Sequence, residues 1–361
     1  MGREILLSPP RTEPHLRVEA SSVYDFLAAL FVVHHHGRSL EFDVPEEWIR
    51  RARRALGPRL RRDLARFAGP RAFFLSLVTL LDRQVAEASV PAFVDQVARL
   101  PAEELVLLLL TSPPAARPAR PHLCEVLRTR PGPARAALRR FGQAYPRELG
   151  RREAVALASR DPREVQEGMV RLLRRFYQAV YAPEEDRILP LLQQDAARKR
   201  ERARRLPLQS FVEEATGGLV LDPAAASEVI VAPSYFVRPY NLVVDHGGIR
   251  TYITPLGAEA TPDALETVRR VARALADESR LRILRLLAER AMYTQQIAEA
   301  LGTSHVTVLH HLAVLRAARL IRVVERQQTR WYTLHPEALE SALIHLRAFL
   351  RSPSGQAGVP S

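Results

Sequence analysis

Thr294–Leu315 reads TQQIAEALGTSHVTVLHHLAVL, and its apolar spacing predicts two short helices joined by a tight turn. Thr294 is placed to cap the first helix. Ile297, Ala298 and Leu301 mark its inward face, and Gly302 stands where the chain must reverse. Ser304 can cap the second helix, along which Val308, Leu312 and Leu315 recur at helical spacing. The other face carries His305, Thr307, His310 and His311, all short donors or acceptors and none acidic. A helix lying in the DNA major groove needs such a face, reading base edges on one side while its back packs on a scaffold. Ala298, Gly302 and Val308 also supply the small, turn and buried β-branched residues of a helix-turn-helix.

Upstream, Ala274–Ala288 (ALADESRLRILRLLA) predicts an amphipathic helix capped by Asp277, with Leu281, Ile283, Leu284, Leu286 and Leu287 available for burial. Downstream, Leu320–Val324 (LIRVV) and Arg330–Leu334 (RWYTL) are strand-like runs that make a wing, and Pro336–Leu350 predicts a closing helix. Over Ala274–Leu334, the segments DESRLRILRLL and QIAEALGTSHVTVLHHLAVLRAARLI and the wing ending in WYTL resemble the winged-helix domain of ArsR/SmtB-type bacterial transcription regulators. Helix order, turn glycine and wing all agree, over about the last quarter of the chain. The resemblance implies repression by blocking a promoter, although activators share this DNA-binding design.

A chain of 361 residues is long for one core, so two or more domains are expected. The formal charge is +13, and Lys199 is the only lysine. Residues 261–351 hold 14 arginines against nine carboxylates, a surplus that suits a phosphate-binding surface. Cys124, the single cysteine, excludes an internal disulfide and a multi-cysteine zinc site. No segment approaches the roughly 20 apolar residues of a membrane helix. Met1–Arg11 lacks a signal peptide's apolar core, so a soluble cytoplasmic protein is expected.

The amino-terminal region reads as helices of irregular length. Ser22–His35, Pro45–Leu56, Pro58–Phe67, Arg71–Ala86, Pro91–Leu100 and Ala102–Leu110 come first. His122–Arg130, Pro133–Tyr145, Arg151–Ser159 and Glu164–Val180 follow, many with proline at or near the first turn. Leu219–Leu221, Glu228–Ala232, Asn241–Asp245 and Ile249–Thr254 read as short strands, the last two joined by a hairpin turn at Asp245–Gly248. His15–Ala20 is a further short strand candidate. The expected fold class is mainly α with small β elements. A helical domain over 1–255 carries a small antiparallel sheet at about 218–255, a linker Pro255–Thr261 follows, then a winged helix-turn-helix at 261–351 and a disordered tail at 352–361.

Other motifs have bland readings. His34, His35 and His36 point about 100° apart on a helix and cannot easily close on one ion, so they read as a polar helix end. Cys124 reads as a buried small hydrophobe, and Arg198–Arg205 as a solvated helix face or charged connector rather than a second DNA contact. Family metal sites are not inherited: Met292–Gln296 has no thiol, and His335 and His345 lack the accompanying Asp. No Gly-rich phosphate loop, nucleophile elbow or HExxH is present, so neither an enzyme nor a cofactor is expected. Phe26, Phe31, Trp48, Phe176 and Phe236 could line an effector pocket, but core packing explains them.

The expected function is a homodimeric, sequence-specific regulator of transcription bound to double-stranded DNA, with an amino-terminal domain that senses a small molecule or mediates assembly. The alternatives are a protein-interaction module merely tethered to DNA, and an enzyme of dispersed residues in the amino-terminal region. Candidate DNA contacts are Thr303, Ser304, His305, Thr307, His310, His311 and Arg316, with Arg326 and Arg330 in the wing.

Overall fold

The run SVYDFLAALFVVHH folds as helix α1 (Ser22–His35), mostly apolar and buried along its whole length. Ser21 Oγ closes its first turn by accepting the Val23 N–H at 3.2 Å. The computed structural model describes residues 14–37, 40, 42–69, 72–81, 89–129, 135–222, 226–238, 240–257, 264–326, 329–336, 339–340, 343–344 and 347. Met1–Arg11, the 352–361 tail and most of the Pro255–Thr261 linker fall outside these residues.

Helix α2 (Glu46–Ala68) contains both helices expected there, separated at Gly57, whose backbone is not helical. Next come α3 (Val90–Arg99), α4 (Ala102–Thr111), α5 (Arg120–Arg128), α6 (Arg135–Ala144), α7 (Arg151–Ala158) and α8 (Pro162–Phe176). Proline occupies the first turn of α3, α5 and α8. Within the α-helix expected at Arg71–Ala86, Phe73–Leu80 form a 3₁₀ turn in which Phe73–Val78 are buried side by side, and residues 71 and 82–86 lie outside the described residues. After α8 a wide turn, Tyr177–Tyr181, lets Ala182 N–H reach back five residues to Tyr177 O. The chain then enters α9 (Ala182–Arg205).

Strands β1 (His15–Val18), β3 (Glu228–Ser234), β4 (Leu242–His246) and β5 (Ile249–Pro255) form one sheet in the order β1-β3-β5-β4. The antiparallel sheet expected from the sequence is corrected here. Only β4 and β5 are antiparallel, while β3 pairs parallel with both β1 and β5. The reason is burial: all seven residues of β3 are buried, as befits a central strand covered on both faces. Leu219–Val220 is not in this sheet at all.

The chain divides into two units. One contains Met1–Leu206 and Pro223–Leu256, and the other Pro207–Asp222 and Gly257–Ser361. The second unit therefore begins with a segment that the sequence placed in the amino-terminal domain. It forms α10 (Leu208–Thr216) and β2 (Leu219–Val220), then α11 (Ala264–Leu275), α12 (Glu278–Glu289), β6 (Met292–Tyr293), α13 (Thr294–Leu301), α14 (His305–Ala317), β7 (Ile321–Arg326) and β8 (Thr329–Leu334). Its sheet has the order β2-β7-β8-β6. Ile283, Leu287, Ile297, Val308, Leu312 and Leu315 are buried in its core. Of the closing helix only 336, 339–340, 343–344 and 347 are described, and these are helical.

Side-chain surroundings refine the His34–His36 reading and change those of Arg198–Arg205 and Cys124. His36 accepts the Phe42 N–H on Nδ1 at 3.2 Å, so Nε2 carries the proton and donates to Glu46 Oε1 at 2.8 Å. The polar helix end is buried and hydrogen-bonded, with His34, His35 and His36 all under a tenth exposed. Arg198–Arg205 is only partly a solvated face. Lys199 is buried against Asp195 and donates to Pro255 O, and Arg200 donates to Val18 O, whereas Arg204 and Arg205 pair with Glu201 in solvent. Cys124 is half-buried, not buried. Most of the aromatic residues are core: Trp48 stacks on Phe236 at 4.5 Å, and Phe26 packs on Phe176 and Tyr181.

Candidate nucleic-acid interface

The site is built on two local signals. Gly302 ends α13 at φ +62°, a left-handed conformation in which its N–H meets Glu299 O and the Thr303 N–H meets Ala298 O. A Cβ at this position would meet nothing within 4 Å, so the need for glycine is conformational rather than steric. Ser304 then caps α14: its Oγ accepts the Thr307 N–H at 3.1 Å and lies 2.8 Å from the Thr307 hydroxyl. At the other helix, the cap residue of α13 is Tyr293 rather than Thr294. Tyr293 N–H donates to Gln296 Oε1, leaving Thr294 buried as the first helical residue. Asp277 caps α12 through the Arg280 N–H at 3.0 Å.

Val308, Leu312 and Leu315 are buried, which fixes the rotation of α14. His305, Thr307, Leu309 and His310 are exposed, together with Ser304 in the preceding turn. Leu309, 41% exposed, is an apolar member of this face. Val306 lies outside the side chains described.

His311 does not share this face. Its Nδ1 lies 3.7 Å from Asp277 Oδ1 and its side chain is 12% exposed, so it packs at the cap of α12. Burial pushes its imidazole below the usual histidine value, against the pull of Asp277. His311 is thus turned inward, away from the exposed His305, Thr307 and His310. Thr303 and Arg316 are half-buried at the two ends of α14.

The wing is the β7–β8 hairpin, with Val323 opposite Tyr332 and Arg326 opposite Thr329. Arg330 is exposed, and only the backbone of Arg326 is described. Trp331 meets the Tyr293 ring edge-on at 5.3 Å, tying the wing base to the start of α13. Sequence reading missed the pairing of Arg322 with Glu213, 2.5 Å apart and 109 positions away in the chain. Among the described residues no group of three or more His, Cys, Asp or Glu could hold a metal ion, and no helix is long and apolar enough to cross a membrane.

The family model "Bacterial regulatory protein, arsR family" matches residues 277–323, from the α12 cap into β7. The chain is 37% identical over 92 residues to the HTH-type transcriptional regulator KmtR of Mycobacterium tuberculosis, covering 24% of this chain and 71% of that protein. Among solved structures it is similar to HlyU from Vibrio cholerae, at 25% identity and a TM-score of 0.21, over 25% of this chain and all of that one. It is also similar to NolR from Sinorhizobium fredii, at 24% identity and a TM-score of 0.21, over 28% of this chain and all of that one. The matched stretch carries the capped α12, the helix-turn-helix and the start of the first wing strand, and the chain belongs to the arsR family of bacterial transcription regulators, with its DNA-binding domain at the carboxy-terminal end.

Proposed function

We propose that the protein is a homodimeric, cytoplasmic repressor that reads an inverted-repeat operator through α14. The observation that carries this reading is the acid-free exposed face of Ser304, His305, Thr307, Leu309 and His310, set opposite the buried Val308, Leu312 and Leu315. Imidazoles and hydroxyls can hydrogen-bond base edges, and Leu309 suits a thymine methyl. Arg330 and Arg326 are assigned to phosphate or minor-groove contacts, which position the domain without reading sequence.

Operator sites selected from a random DNA pool test the assignment. His305→Ala and Thr307→Ala should each weaken the selected site by about 1–3 kcal/mol and relax preference at one base pair. His311→Ala should leave preference unchanged. If His305 and Thr307 can both be truncated with affinity and preference intact, α14 is not the reader.

A dimer is favoured by the apolar surface of the second unit. Leu281 is 49% exposed, Leu343 53% and Ile344 66%, and Val268 and Val271 on α11 are half-buried. A two-fold axis would set two α14 helices one DNA turn or a multiple apart. Sedimentation of the full chain at micromolar concentration should give a dimer, and a monomer both free and on the selected inverted repeat would sink the model.

The amino-terminal unit is assigned a sensing role. An effector shifts DNA affinity only by binding two states unequally, and a tenfold shift needs about 1.4 kcal/mol of difference.

A further inference from the structure

Residues 207–222 belong to the second unit, yet both ends of this segment run directly into the first. The segment meets the root of the wing through strand pairing, an ion pair and one close backbone approach. Strand β2 pairs parallel with β7, Leu219 against Val323 and Val220 against Val324, and the Val323 N–H donates to Gly218 O at 3.1 Å. Glu213 Oε1 lies 2.5 Å from Arg322 Nε, each side chain 30% exposed. Gly217, at φ +67°, lies so close to Arg319 that an added Cβ would fall 2.8 Å from its Nε.

These partners occupy a short stretch of chain with a particular job. Arg319 itself takes a positive φ of 59° in the turn that leaves α14, and Arg322–Val324 begin the wing. The segment therefore grips the hinge between the recognition helix and the wing. It is also held in shape from within: Thr216 Oγ1 donates to Val212 O at 2.6 Å and accepts the Leu219 N–H at 3.0 Å, and Gly218 N–H donates to Glu213 O at 2.8 Å. Leu219 packs on the winged-helix core. A two-residue strand has little pairing energy of its own, so these side-chain ties are what keep it in register.

We propose that residues 207–222 set the position of the wing on DNA, with Glu213 as the positioning residue acting through Arg322. This rests on the reading that the wing contacts phosphates. Both ends of the segment continue by the chain into the amino-terminal unit, and the segment holds the wing root through strand pairing and the Glu213–Arg322 ion pair. In this arrangement Arg322 is spent on Glu213 rather than on DNA.

The test uses the full chain, a duplex of random sequence as the probe, and hydrogen exchange of the Val323 amide, which donates to Gly218 O. Glu213→Arg puts two cations together and should expose that amide to exchange. It should weaken binding by roughly three- to tenfold, the loss of one or two phosphate contacts, although the added positive charge alone would tighten it. Combining it with Arg322→Glu should restore both exchange protection and affinity. Glu213→Arg binding as tightly as the parent, or a double variant that stays weak, overturns the positioning role. Arg330→Ala is measured alongside and should lower the salt slope by about one unit. An unchanged slope there, with normal exchange at Val323, overturns the wing-contact reading instead.

Discussion

Asp25→Ala is expected to cost the amino-terminal unit roughly 3–5 kcal/mol, because it strands three buried donors at once. Asp25 is wholly buried on the first turn of α1. Its Oδ1 accepts the Ser234 hydroxyl at 2.6 Å and the Tyr235 N–H at 2.8 Å, and its Oδ2 accepts the Tyr181 hydroxyl at 3.0 Å. One carboxyl thus joins α1, the end of β3 and the wide turn before α9. Burial raises it from 3.8 to about 6, while the Ser234, Tyr235 and Tyr181 hydrogen bonds pull the other way. The folded state therefore favours the protonated form. The stability that this proton contributes is fully present below the unfolded value near 3.8 and is lost as pH rises through about 6, amounting to about 3 kcal/mol. Asp25→Asn removes the titration but keeps one acceptor. Relative to Asp25→Asn, the denaturant midpoint of the parent should fall between pH 4 and pH 7. A gap that does not change across that range would show that Asp25 does not titrate in the folded protein.

The second large effect sits in the winged helix. Leu315 is fully buried among Ile297, Leu312 and Ile321, and Leu315→Ala should cost about 2–5 kcal/mol through lost burial and a residual cavity. For a domain of ordinary stability, roughly 5–15 kcal/mol, that is enough to deplete the DNA-competent population when it is warmed. Leu309→Ala is the matched control, the same change on the same helix at a position 41% exposed. It should alter stability by less than about 0.5 kcal/mol while weakening the selected operator. Thermal melts and operator titrations of both proteins measure the difference. Equal destabilisation by the two changes would mean that the inward and outward faces of α14 are wrongly assigned.

That contrast also shows where sequence reading was reliable. The turn at Gly302, the caps Ser304 and Asp277 and the buried trio Val308, Leu312 and Leu315 all stand as expected, since each depends on residues within one or two turns. The break at Gly57 and the helix Ser22–His35 were legible for the same reason. His311 was expected on the same polar face as His305, Thr307 and His310, but it turns inward beside Asp277, which lies 34 positions away.

Local signals in the chain were enough to establish a helix-turn-helix with a wing, a long helical region before it and the family to which the chain belongs. Helix periodicity, capping and turn chemistry act over a few residues and can be read in order along the sequence. Strand partners cannot be read that way. Whether β3 ran parallel or antiparallel to β5 depended on which faces became buried, and a two-residue strand at Leu219–Val220 has no pattern that names its neighbour. Only the folded chain assigned that strand to the wing, Glu213 to Arg322 and Asp25 to three donors, because long-range pairing is decided by what the whole core brings together.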